Sequence, residues 1–345
     1  MPSFIRSLVA AFVLLSADAA IAQDVATLQS NSIINQCRRN ADLQAAIRAC
    51  TSLIQNPGQM RSLNEGTRRA ALSAAYTDRA RAYLRSGDTE RALGDLDQAV
   101  AIDPRSSRAL NLRGDLFLVQ GDSERASQEY DKAVAANPKD FEAFNQRGNF
   151  HLHFGRYAEA IADYDKANAI NPRSAAVYTN RAEAYRLQGQ FDKAIADYDR
   201  AISRNSKFSA AYDGRGLAYA GKRDYDRALK EFDRALALSP ESAIALGHRA
   251  VVFELTGDLA RAIADFDAAI TIDPQPGAFA NRGIAYEKAG KHALAIFDLD
   301  MAIAANPNDA ASLYYRGLAK QASHDAAGGD ADIARARVLN PDIGK

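Results

Sequence analysis

The 345-residue chain has no tryptophan, two cysteines and three methionines. It lacks a surplus of charge of either sign, with 43 lysines and arginines against 43 aspartates and glutamates. A balanced chain sets up no global field to draw in nucleic acid or an anionic membrane surface, so neither is expected as a partner. Phosphate-cradling glycine loops and nucleophile elbows are missing. The histidines are His151, His153, His248, His292 and His324, and none has a metal-ligand spacing such as a pair on adjacent turns. His151 and His153 lie two apart on a predicted helix and so point to different faces. No catalytic residue, cofactor or metal is expected, and the chain does not read as an enzyme.

Past the first residues, no segment is apolar for long enough to cross a bilayer core of roughly 30 Å. The first residues resemble a secretory signal. Arg6 lies in a basic leader, Leu8 to Leu15 form a short apolar run, and Ala20-Ile21-Ala22 offers small residues to a peptidase. Cleavage is expected after Ala22, giving an exported, periplasmic or secreted protein. An uncleaved anchor would need a longer run. The residue directly after the cleavage point is Gln23 and not cysteine, which disfavours a lipid anchor. Cys37 and Cys50 then suggest one disulfide, since export leads to an oxidising compartment. So short a loop would confine the unfolded chain by roughly 3 kcal/mol.

What the chain has is a period. Prolines fall at Pro104, Pro138, Pro172, Pro240, Pro274, Pro307 and Pro341. Their spacing is 34 residues, with one doubled step whose midpoint is Ser206 and one step a residue short at Pro274-Gln275-Pro276-Gly277. Residues 175–208 show what lies between. Val177, Tyr178, Ala182, Tyr185 and Leu187 are spaced by helical turns, Gly189 breaks the run, and Phe191, Ala194, Ile195, Tyr198, Ala201 and Ile202 resume it. Each repeat reads as helix, tight turn, helix, loop.

This pattern resembles the tetratricopeptide repeat family. The family places a bulky residue, a small one, an aromatic, then small, aromatic, small and proline at set positions. One repeat supplies Leu110, Gly114, Phe117, Ala126, Tyr130, Ala133 and Pro138; another supplies Tyr212, Gly216, Tyr219, Ala228, Phe232, Ala235 and Pro240. Eight repeats are predicted over 73–343, at 73–106, 107–140, 141–174, 175–208, 209–242, 243–276, 277–309 and 310–343. His151 and Lys320 depart from the pattern at an aromatic position. The last repeat, whose second helix begins at Gly328-Gly329 and reads as loose, is expected to cap the array. Behind the signal at 1–22, segment 23–72 holds a degenerate partial repeat. Residues 41–56 resemble a second helix with Cys50 at its aromatic position, and Asn56 to Thr67 read as an irregular insertion.

One departure recurs in every repeat. Arg79, Arg113, Arg147, Arg181, Arg215, Arg249, Arg282 and Arg316 stand where the family favours leucine. Sixteen residues after each comes an acid: Asp95, Glu129, Asp163, Asp197, Glu231, Asp265, Asp298 and Asp332. A guanidinium suits bidentate pairing with a carboxylate in a partly buried setting, so an internal ion-pair ladder is expected, joining each arginine to the acid of its own or the preceding repeat. A second acid, from Asp97 to Asp300, recurs two residues later in seven repeats and reads as solvated outer surface. Acid pairs such as Asp163 and Asp165 recur too often to be catalytic.

The resemblance implies an all-α solenoid of helical hairpins, wound into a right-handed superhelix with the first helices lining a concave groove. By register, mid-helix groove positions are Arg81, Asp115, Asn149 and Glu183, then Leu217, Val251, Ile284 and Leu318. One turn earlier come Thr77, Asn111, Asn145, Thr179, Asp213, Gly247, Ala280 and Tyr314. The early part is polar and the later part apolar. The expected function is a scaffold that binds a peptide or protein in this groove. An accessory subunit of an envelope-assembly or polysaccharide-export machine, and a carbohydrate- or cell-wall-binding accessory, remain open alternatives.

Overall fold

The structure is a computed structural model that describes residues 32–38, 42–56 and 63–344. The signal-like segment 1–22, its cleavage point after Ala22 and residues 57–62 of the insertion lie outside the described residues. The described residues form eighteen helices and divide into two compact halves, the first ending at Ala184 and the second beginning at Tyr185.

The N-terminal half holds α1 (Ser32–Arg38), α2 (Leu43–Gln55), α3 (Glu65–Arg85), α4 (Thr89–Ile102), α5 (Ser107–Val119), α6 (Ser123–Ala136), α7 (Phe141–His153) and α8 (Tyr157–Ile170). The boundary falls within α9 (Ala175–Leu187). The C-terminal half continues with α10 (Phe191–Arg204), α11 (Ser209–Gly221), α12 (Tyr225–Leu238), α13 (Ala243–Leu255), α14 (Leu259–Ile272), α15 (Pro276–Lys288), α16 (His292–Ala305), α17 (Ala310–Ala322) and α18 (Ala326–Leu339). Odd-numbered helices lead each hairpin and even-numbered ones trail. This is the pairing of a tetratricopeptide-type solenoid.

Local chemistry sets the ends of these helices. Asp88, Asp122, Asp224 and Asp258 precede trailing helices, and each side chain accepts the backbone N–H three residues on. Pro276 begins α15, where its fixed φ suits the first turn. Within six hairpins the two helices are joined through a glycine of positive φ, such as Gly121 at 82°. Arg223 and His324 take that left-handed conformation without being glycine.

The core alternates small and large side chains. A Cβ on Gly148 would come within 2.6 Å of the Tyr164 ring, and one on Gly216 within 2.7 Å of Phe232. Glycine there lets the two helix backbones close on an aromatic that is wholly buried. Each such ring contributes roughly 1.5–3 kcal/mol of burial.

Two expectations of the sequence are corrected. The irregular insertion does not run to Thr67, because α3 starts at Glu65 and is 21 residues long. Asn64 accepts from the Thr67 N–H, and Glu65 supplies negative charge to the first turn, so the cap lies inside what reads as insertion. Arg69 on this extension donates to the Ile102 carbonyl at 2.8 Å, fastening it to the end of α4. The second correction concerns Gly328-Gly329, which is not a loose start. Asp325 caps α18 through the Gly328 N–H, and a Cβ on Gly329 would come within 2.7 Å of the Gly317 carbonyl oxygen. The glycines are there for close backbone packing.

Cys37 and Cys50 are joined in a disulfide between α1 and α2. Both are buried and pack with Leu53 and Ala75, so the bridge is part of the core beneath the first full hairpin. Among the described residues no helix is long and apolar enough to cross a membrane.

Candidate partner-binding site

The ladder frames the site. Arg147 on α7 donates from Nε and Nη2 to both oxygens of Asp163 on α8, at 2.7 Å each. Arg79 with Asp95, Arg249 with Asp265, Arg282 with Asp298 and Arg316 with Asp332 repeat this fork at 2.6–2.8 Å. Where the acid is glutamate, both nitrogens meet one oxygen, at 2.6 and 3.0 Å for Arg113 with Glu129 and for Arg215 with Glu231. Arg181 belongs to the first half and its expected acid, Asp197, to the second. Within the second half Asp197 accepts from Arg200 at 2.5 Å.

The second acids require a correction. They are exposed, but they are not merely solvated. Asp97 accepts from Nη1 of Arg113 at 2.9 Å, Asp131 from Arg147 at 2.9 Å, Asp165 from Arg181 at 2.5 Å and Asp199 from Arg215 at 2.5 Å. Asp233, Asp267 and Asp300 do the same for Arg249, Arg282 and Arg316 at 2.6–2.7 Å. Each of these arginines uses its third nitrogen to hold the preceding hairpin. Arg79 finds Thr51 Oγ1 at 3.0 Å instead, on the degenerate repeat. Hydrogen bonds to their own acids hold Arg79, Arg147, Arg249, Arg282 and Arg316 above the ordinary arginine pKa, outweighing burial.

Lys320 and His151, the two departures at aromatic positions, adapt differently. Lys320 Nζ donates to Asp332 at 2.9 Å and so adds a second cation to the last rung. Burial raises the Asp332 carboxyl, but the bonds from Arg316 and Lys320 prevail and hold it below the usual carboxylate range. His151 stays half-buried beside Phe150, with ring centroids 5.9 Å apart. Burial, then the Arg156 charge, keeps its imidazole below the usual histidine pKa.

The leading-helix positions tracked by register are mostly occupied by internal bonds. In the N-terminal half, Tyr130 donates to Asp115 Oδ1 at 2.6 Å and Tyr164 to Asn149 Oδ1 at 2.8 Å. Asn180 reaches the Oδ1 atoms of Asn145 and Asn149 at 3.0 Å each, and Asn149 donates to Gln146 at 3.0 Å. Thr77 and Thr179 turn back to carbonyls four residues earlier, and Glu183 is half-buried. Asn111 is 7% exposed, and its Oδ1 has no partner.

In the C-terminal half the same positions are apolar because the trailing helix carries no tyrosine hydroxyl opposite them. Leu217 packs with Phe232, Val251 with Phe266 and Ile284 with Leu299. The change of character along the array is therefore first an internal match between leading and trailing helices. All three aliphatics and Leu318 are nonetheless only half-buried. Asp213 pairs with His248 Nδ1 at 3.0 Å, and Tyr314 lies edge-on to Tyr315 with centroids 5.5 Å apart.

Two features escape a periodic reading. Arg108 on α5 and Asp78 on α3 form an ion pair at positions that vary from repeat to repeat. On α16, Leu294, Phe297 and Met301 are exposed, Phe297 by 63%. The positions of Leu294 and Met301 carry Arg227 and Arg234 on α12. No group of three or more metal-ligating side chains occurs among the described residues.

Family models described as tetratricopeptide repeat match residues 77–138, 114–175 and 214–276, and a further one matches 175–208. Together they cover more than half of the chain. No curated protein matches. Among solved structures the chain is similar to a tetratricopeptide repeat protein from Parabacteroides merdae, at 21% identity and a TM-score of 0.59, over 72% of this chain and 98% of that one. A chain of the APC/C hetero-tetramer Cut9–Hcn1 aligns at 19% identity and a TM-score of 0.62, over 93% of this chain and 61% of its own. PilF of Pseudomonas aeruginosa aligns at 22% identity and 0.52, over 60% and 94%. At these identities the likeness is one of fold.

Proposed function

Because the chain belongs to the tetratricopeptide repeat family, we propose that it is a non-enzymatic protein-interaction scaffold whose leading-helix face takes a peptide or protein partner. The observation that carries the location is the half-burial of Leu217, Val251, Ile284 and Leu318 on successive leading helices of the C-terminal half. Each rests one side on its own hairpin and keeps apolar surface for a ligand. An extended segment or an amphipathic helix could meet them in turn. In the N-terminal half, the unpartnered Asn111 Oδ1 offers a polar contact to the same kind of ligand. The partner meets this protein outside the cytoplasm, after cleavage following Ala22. The bridged Cys37 and Cys50 support that reading, since such bonds persist under oxidising conditions.

Affinity capture from an envelope extract tests the site. Leu217→Asp, Val251→Asp and Ile284→Asp are expected to abolish or strongly reduce capture while circular dichroism stays helical. Unaltered capture by all three folded variants overturns the proposed location.

A further inference from the structure

A small cavity in the N-terminal half lies outside both the ladder and the aliphatic row. It measures about 30 Å³, is partly open, and is lined by Arg81 of α3, by Arg108, Asn111 and Asp115 of α5, and by Glu142 and Gln146 of α7. Two buried polar atoms of these side chains have no partner: Nη1 of Arg108, a donor, and Oδ1 of Asn111, an acceptor. Asn111 is more than nine-tenths buried. Leaving such groups unmet is costly, so the two atoms call for a polar partner.

The charge around it narrows what that is. Arg81 and Arg108 share the buried carboxylate of Asp78, with Arg108 in direct contact and Arg81 at 3.8 Å. Arg38 lies in the field of both Asp78 and Arg108. Asp115 and Glu142 also act on Arg81. Three guanidiniums thus interact with three carboxyl groups, Asp78, Asp115 and Glu142. Such a balanced cluster gives a further charge of either sign no net partner, and burying an unpaired charge is expensive. A neutral group with one acceptor and one donor, held side by side, satisfies both free atoms at once.

Resting on the scaffold reading, we propose that this cavity is a receptor for one amide group of the bound partner, whose carbonyl oxygen accepts from Arg108 Nη1 and whose N–H donates to Asn111 Oδ1. The amide is the carboxamide of an Asn or Gln side chain, whose C=O and syn N–H lie on one edge; a trans backbone amide points the two groups in opposite directions.

Acetamide serves as probe for the carboxamide, with N-methylacetamide as the trans-amide control and acetate as the anionic control. Binding is read by NMR on the Asn111 carboxamide and Arg108 guanidinium signals of the full protein. Saturable shifts are expected with acetamide and not with N-methylacetamide or acetate. Asn111→Leu and Arg108→Lys should each weaken the amide by about tenfold or more, since one bond is lost and its counterpart is left unmet. Binding by acetate alone, N-methylacetamide binding as well as acetamide, or no saturable shift with acetamide in the folded wild type, overturns the proposal. Capture separates this from the scaffold reading. If Asn111→Leu leaves capture intact while Leu217→Asp abolishes it, the amide site fails and the scaffold stands. If acetamide binds but no variant affects capture, the cavity stands and the scaffold site fails.

Discussion

The hydroxyl of Tyr130 donates to Asp115 Oδ1 fifteen residues earlier, at 2.6 Å, across one hairpin. Tyr164 and Asn149 repeat the relation, while Phe232 faces Leu217 and Phe266 faces Val251 without polar atoms. A buried hydroxyl and its acceptor thus vary together. Phe232→Tyr is expected to destabilise the protein by about 1–3 kcal/mol, because its hydroxyl would meet leucine. Adding Leu217→Asn should recover much of that loss. Urea unfolding of the two single variants and the double variant checks this; additive costs would show that the positions are independent.

Asp115 also predicts a pH dependence. Burial pushes its carboxyl up to about 6, against the bonds from Tyr130 and Gln146 and the field of Arg81. In the unfolded chain it ionises near 4. The folded form therefore holds the proton more tightly, and its destabilising effect is fully present above about pH 6 and gone below about pH 4. Asp115→Asn should raise stability at neutral pH, by about 2–3 kcal/mol as an order of magnitude. The gain should shrink as pH falls through that window. Urea midpoints against pH measure the difference, and a carboxyl NMR titration with its midpoint near 4 would refute the cause.

The ladder predicts an asymmetry between its two acids. Asp163 is buried at 4% side-chain exposure, whereas Asp131 is 62% exposed, yet both bind Arg147. Arg147→Leu strands the buried carboxylate and should cost about 3–5 kcal/mol. Combining it with Asp163→Leu should return most of that, since an apolar pair of similar volume replaces the buried ions. Asp131→Ala should cost under about 1 kcal/mol. Chemical denaturation of these variants and the wild type decides; equal costs for Arg147→Leu and Asp131→Ala would contradict the burial argument.

Arg223 holds a φ of 61° at the turn where six other hairpins use glycine. Left-handed backbone costs a side-chain-bearing residue about 1–2 kcal/mol. Arg223→Gly should therefore raise the melting temperature by a few degrees, offset in part by the greater freedom of glycine in the unfolded chain. An unchanged or lowered Tm would show that the arginine side chain contributes more than its backbone costs.

The hairpins were legible because their signals repeat. Prolines, small residues and the arginine–acid spacing recur often enough to be read without coordinates. The role of the second acids was hidden because Asp131 and its arginine belong to consecutive repeats, so inspection of one hairpin places that carboxylate in water. The start of α3 was hidden because Asn64 caps it from within a polar stretch that resembles a loop. Arg108, Asp78 and the unmet atoms of the small cavity have no period at all. The polar-to-apolar change was visible, but its first cause was not. It follows from a hydroxyl on the facing helix, which the register of one helix alone does not reveal.

The rungs also determine where the array can stop. An arginine that reaches backward needs an acceptor behind it, and a hairpin that is to be followed needs a carboxylate to offer. At the front, Thr51 answers Arg79 with a neutral hydroxyl. At the back, Ala334 occupies the position of the second acid, and Asp332 is taken by both Arg316 and Lys320. The last hairpin thus extends no free carboxylate to a ninth arginine. Among the described residues, the carboxylate that lets one hairpin follow another inside the array is replaced by a neutral hydroxyl at the first full hairpin and by alanine at the last.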